Sequence, residues 1–197
     1  PLVLENGRYR MDFEHMREAV RGCGMFILCN PHNPGGRVWS PEELEQVAEI
    51  CAESGTLVIS DEIHADLTLP GRRHTVFATV SEKARDNSVT YMAASKAFNV
   101  PGLASSYLLC QNPALFEKYQ NFVNGREMAE GHVFAYAGLI SAYTEPEGEE
   151  WLRQALDYIQ KNIRYLDAEL RSRMPRIKAL LPDASYLCLL YTSDAAD

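Results

Sequence analysis

Short apolar runs, each closed by a polar turn, recur along the first part of the chain and alternate with segments of helical periodicity. Met25–Cys29 and Thr56–Ser60 are uninterrupted enough to predict buried strands, Val89–Ala94 predicts a third, and Ser106–Cys110 after Gly102 is a fourth candidate. Between the first two, Leu44, Val47, Ala48 and Cys51 recur on one helix face. The start of that helix is written locally. Ser40 is a candidate N-cap, Pro41 takes the first helical position, Glu43 can close a capping box, and Gly55 ends the helix. Met11–Val20 is helix-compatible with Asp12 as cap, whereas Pro1–Tyr9 reads as a loop or strand end. After Pro113 the pattern becomes mostly helical. Trp151–Met174 carries a stripe of Leu152, Ala155, Leu156, Ile159, Ile163, Leu166 and Leu170, read as core packing. Strands alternating with helices predict an α/β fold with a mainly parallel sheet and right-handed crossovers.

Composition narrows the function classes. A formal net charge of -8 gives no electrostatic support to nucleic-acid binding. No apolar run is long enough to span a bilayer, so no membrane partner is expected, and the chain reads as cytoplasmic. The five cysteines lack metal-ligand or framework spacing and read as reduced thiols.

Three polar clusters each follow a predicted strand, and in open α/β sheets the ligand crevice lies outside the carboxyl ends of the strands. Asn33 sits between Pro31 and Pro34, whose restricted backbones fix where its amide points, and Gly35 and Gly36 permit close approach. A rigid turn before a capped helix explains the same residues without a ligand. Asp61 follows an apolar run, so its carboxylate is expected to start near the interior and to need a cationic or donor partner. That partner is either a ligand cation or an ordinary cap or arginine. His64 is placed to reach the same ligand, or is simply a satisfied polar residue. Lys96, at the end of the third run, loses hydration there and gains nucleophilicity, although most lysines are solvated charges. Ser95 is small and polar beside it.

Together, the segments Leu28–Trp39, Ser60–Asp66 and Ser95–Leu103 resemble the fold-type I pyridoxal-phosphate (PLP) enzymes, the aminotransferase class I/II superfamily. Within it they look most like the MalY/PatB branch of cystathionine beta-lyases. The resemblance implies a three-layer PLP-dependent transferase-like large domain, incomplete here, with the start of a small C-terminal domain. It implies pyridoxal 5'-phosphate held covalently by Lys96, with Asp61 keeping its ring nitrogen protonated. Asn33 and His64 would contact the phenolic oxygen, and Ser95 the phosphate. Aminotransferases of the superfamily usually carry a phosphate-binding arginine where this chain has Ala104, and its absence favours the lyase branch.

The implied reaction is carbon–sulfur beta-elimination from L-cystathionine or a related cysteine conjugate. The alternatives are amino transfer by the same residues, or a regulatory or binding module that keeps the fold. A homodimer acting on a small amino-acid substrate is implied, with 124–134 a candidate to approach the partner's site. Residues 1–150 are expected to be the partial large domain, and 151–187 a linking helix and the start of the small domain. Residues 188–197 do not continue the family pattern and are expected to be a non-native tail. The phosphate loop upstream and the carboxylate-gripping arginine downstream are expected outside the chain, leaving the polypeptide by itself inactive.

Overall fold

The computed structural model describes residues 2–128 and 132–192. Where a loop or strand end was expected, the first element is a full hairpin. Strands β1 (Leu2–Glu5) and β2 (Arg8–Met11) form an antiparallel hairpin in which Glu5 pairs with Arg8. Asn6 and Gly7 connect them with φ of 52° and 72°. Two left-handed residues in succession match the twist of the flanking strands, which is why Asn-Gly favours this connection. Helix α1 (Phe13–Ala19) follows, capped by Asp12, whose side chain accepts the His15 N–H.

The central sheet is built from β3 (Met25–Cys29), β4 (Leu57–Asp61), β5 (Ser88–Met92) and β6 (Tyr107–Leu109) in that spatial order. The first three are parallel, and β6 runs antiparallel to β5. Between β3 and β4 lies α2 (Pro41–Glu53), with the capping box of Ser40 and Glu43 formed in both directions. Between β4 and β5 lies α3 (Glu82–Asp86), capped by Ser81. Leu28 and Val58 on one sheet face meet Leu44, Val47 and Cys51 of α2, Met16 of α1, Trp39, Phe77 and Ala84 in one core. Each large apolar side chain sealed there contributes about 1.5–3 kcal/mol. Among the described residues the opposite face of β3 is open, and Ile27 is 69% exposed on it.

Beyond β5 comes the single turn α4 (Ala94–Ala97), and beyond β6 come α5 (Pro113–Asn124), α6 (Val133–Thr144) and α7 (Pro146–Arg173). A second hairpin, β7 (Ile177–Leu180) with β8 (Leu189–Thr192), closes the described chain. Of the expected core stripe on α7, only Ile163 and Leu170 are buried. Its remaining members are half-covered, because α7 packs chiefly on α6 and β7 and its first half borders an open cavity. Within the segment expected to approach a partner, residues 129–131 lie outside the described residues. Among the described residues no helix is long and apolar enough to cross a membrane.

Candidate active site

Parallel register brings three strand ends level. Cys29 pairs with Asp61, and Asp61 with Tyr91. The turns that leave these strands stay tied together: the Asn30 N–H donates to the Asp61 carbonyl at 2.9 Å, and the Glu62 N–H to the Tyr91 carbonyl at 2.9 Å. The polar residues after β3, β4 and β5 therefore open into one crevice, where the topology of an open α/β sheet places ligands.

The first turn presents Asn33. Its backbone N–H donates to the Cys29 thiol at 3.2 Å, which folds the turn back over the strand end. The Asn33 Nδ2 lies 3.4 Å from the Nε2 of His64. His64 is only 3% exposed, and its Nδ1 is buried without a partner among the described residues. Burial pushes the imidazole below its ordinary pKa of 6.5. The positive charge of Lys96 adds to that, and the Asp61 carboxylate opposes it. A neutral ring that accepts the amide hydrogen of Asn33 at Nε2 carries its own hydrogen at the unpartnered Nδ1.

Asp61 corrects the expectation of a buried carboxylate, since it is exposed. Side chains alternate along β4, so Val58 and Ser60 are buried while Asp61 emerges on the other side. It accepts the Ile63 N–H at 3.2 Å and has no ion pair among the described residues.

Lys96 sits on α4, half-buried, and likewise has no ion pair among the described residues. With Ser95 it lines a cavity of about 360 Å³ bordered by Leu67, Trp151, Ala155 and Tyr186. The structure therefore gathers Asn33, Asp61, His64 and Lys96 around the strand ends, with His64 in contact with Asn33 and within the field of the charges of Lys96 and Asp61. Ser95 shares the Lys96 turn, but its hydroxyl makes no hydrogen bond among the described residues. Ala104 ends the short 3₁₀ turn Pro101–Leu103 in a left-handed conformation with φ of 47°, and offers no cation to a phosphate.

Two parts of this neighbourhood are absent from the sequence reading. Glu62, 1% exposed, accepts from Ser60 Oγ at 2.8 Å, from the Phe77 N–H at 2.9 Å and from His74 Nε2 at 2.6 Å. That sealed cluster anchors the backbone between Asp61 and His64. A glutamate directly after an apolar run hints at burial, but nothing local points to His74. The second part is Tyr186, whose ring lies 6.1 Å from that of His64. It comes from a distant part of the chain and carries no motif.

Comparison with known proteins gives the family. Residues 3–197 match the family model described as aminotransferase class I and II. The chain is 40% identical to cystathionine beta-lyase PatB of Bacillus subtilis (strain 168), over 96% of this chain and 49% of that protein. It is 32% identical to protein MalY of Escherichia coli (strain K12), over 85% of this chain and 42% of that protein. Among solved structures, the PLP-bound C-S lyase from Staphylococcus hominis superposes with a TM-score of 0.88 at 34% identity. The match covers 96% of this chain and 47% of that one. The chain spans about half the length of the curated relatives it matches.

Proposed function

The chain belongs to the aminotransferase class I and II family, and from that premise we propose that the whole protein is a PLP-dependent carbon–sulfur lyase. It takes L-cystathionine or a related cysteine conjugate and water to a thiol, pyruvate and ammonia. The observation that carries this reading is the convergence of four groups with spare bonding capacity at the strand ends. Among the described residues Lys96 is an amine without an acid, Asp61 is an acid without a cation, and His64 has an unpartnered buried nitrogen with Asn33 against its other side. Such a set suits a ligand with a protonatable ring nitrogen, a neighbouring oxygen and an aldehyde carbon, which is the chemistry of PLP.

When bound, that cofactor supplies an electron sink for negative charge at the substrate α-carbon. Lys96 would hold it covalently, then as general base take the α-proton and as general acid pass it to the departing thiolate sulfur. The Asp61 carboxylate would accept the ring N–H and keep that nitrogen charged. Asn33 and His64 would hold the phenolic oxygen, and Ser95 the phosphate. The half-buried setting of Lys96 limits water around the amine, so its proton goes to the substrate rather than to solvent.

The same reading places the protein in the cytoplasm as a homodimer. Exposed apolar residues on α6, among them Val133, Phe134 and Ile140, support a covered face. It also assigns 1–150 to the large domain and 151–187 to the link into the small one.

The test is to incubate the full-length protein with PLP and L-cystathionine and no keto acid. Steady release of pyruvate and free thiol is expected. No pyruvate, with amino transfer once a keto acid is added, would make the protein an aminotransferase.

A further inference from the structure

Tyr186 reaches the site through an unusual piece of backbone. The segment before it is docked on the turns that follow β3 and β4. The Gly36 carbonyl accepts the N–H groups of Asp183 at 2.7 Å and Ala184 at 3.1 Å, and the Leu69 N–H donates to the Asp183 carbonyl at 3.0 Å. A Cβ on Gly36 would lie 2.2 Å from Pro182 Cβ, so the contact needs glycine there. The Asp183 carboxylate, itself buried, takes Arg8 at 2.7 Å and Arg72 at 3.0 Å.

Ser185 comes next. It is buried, its N–H donates to the Leu67 carbonyl at 2.9 Å, and its φ is 78°. A non-glycine residue held there is strained, and persists only when the surroundings impose it. The consequence is that Tyr186 turns out beside the crevice. It is 45% exposed, and its hydroxyl makes no hydrogen bond among the described residues. Its ring tilts at 54° to that of His64 and lines the Lys96 cavity together with Trp151 and Leu67.

We propose that Tyr186 is a specificity-determining residue whose ring is the wall met by the substrate side chain over Lys96, with Gly36 and Ser185 setting its position. The proposal rests on Lys96 as the reacting amine. It does not depend on whether the reaction is elimination or amino transfer.

Full-length protein loaded with PLP is titrated with L-alanine and with L-norleucine, which lack a β leaving group, and binding is followed by the change in cofactor absorbance. Replacing Tyr186→Ala is expected to weaken norleucine about tenfold and alanine by no more than about twofold, a loss of roughly one side-chain contact. Gly36→Ala is expected to move the ratio in the same direction. Tyr186→Phe, which keeps the ring, is expected to hold it. Should the alanine variant not fold, Tyr186→Leu reports the same ratio with a smaller change. A ratio equal to that of the unmodified protein, in a variant whose ligand-free absorbance is unchanged, overturns the role of Tyr186 alone. No absorbance response to either amino acid by the unmodified protein overturns the reading of Lys96 and this proposal with it.

Discussion

Two acidic regions, one buried and one open, are treated in opposite ways. Glu62 is sealed inside with three donors around it, and Asp183 is pinned by arginines. Asp61, adjacent to Glu62 in the chain, is exposed and holds one backbone N–H. A buried charge must be fully partnered to stay charged, so the first region is spent on holding the fold. A carboxylate with lone pairs left free among the described residues keeps its capacity for a ligand. Partner count, more than charge, separates structural from chemical acids here.

The largest effect that sharpens this contrast belongs to the amine. In the full-length protein Lys96→Ala is expected to lower turnover by roughly 10³-fold or more. Pyruvate release measures it, and unchanged urea unfolding shows that the fold survives. Glu62→Ala comes next. It strands His74 and the Phe77 N–H in the interior and is expected to cost about 3–5 kcal/mol in urea unfolding. A loss below about 1 kcal/mol would break the contrast from the structural side. Asp61→Asn is expected to change unfolding by less than about 0.5 kcal/mol while lowering turnover roughly 10²-fold. If it destabilises as Glu62→Ala does, Asp61 belongs to the fold and not to the chemistry.

The smallest effect is a pH dependence. His64 is held below its ordinary 6.5, chiefly by burial and also by the charge of Lys96, and burial holds His32 below it too. The unfolded chain therefore binds more protons than the folded one just below pH 6.5, so stability is full above that value and is lost as pH falls through the window beneath it. Unfolding free energy measured at about pH 7.5 and about pH 5.5 should fall between the two, and fall less in His64→Gln. A drop of the same size in that variant would contradict the assignment to His64.

Much of this was readable where the signals are local. The start of α2 lies in Ser40, Pro41 and Glu43, and the structure forms each contact. The strand-end positions of Asn33, Asp61, His64 and Lys96 follow from apolar runs meeting polar turns. The first hairpin shows the limit of run length: Asn6-Gly7 carries the turn signal, but four-residue strands on either side are too short for the pattern to stand out. The exposure of Asp61 depends on which face of β4 is covered, and the chain order does not show that α1 and α2 both choose the other side. Tyr186 was illegible because its position comes from Gly36 and Leu67, remote in sequence and joined to it only by docking.

The central claim is that Lys96 is the amine that carries the cofactor chemistry. Loading the full-length protein with PLP, reducing it with borohydride and mapping the modified peptide tests this most directly. The expected result is a single stable adduct on the peptide that contains Lys96, lost in Lys96→Ala. An adduct on Lys83, Lys118, Lys161 or Lys178 instead, or none at all, would contradict it.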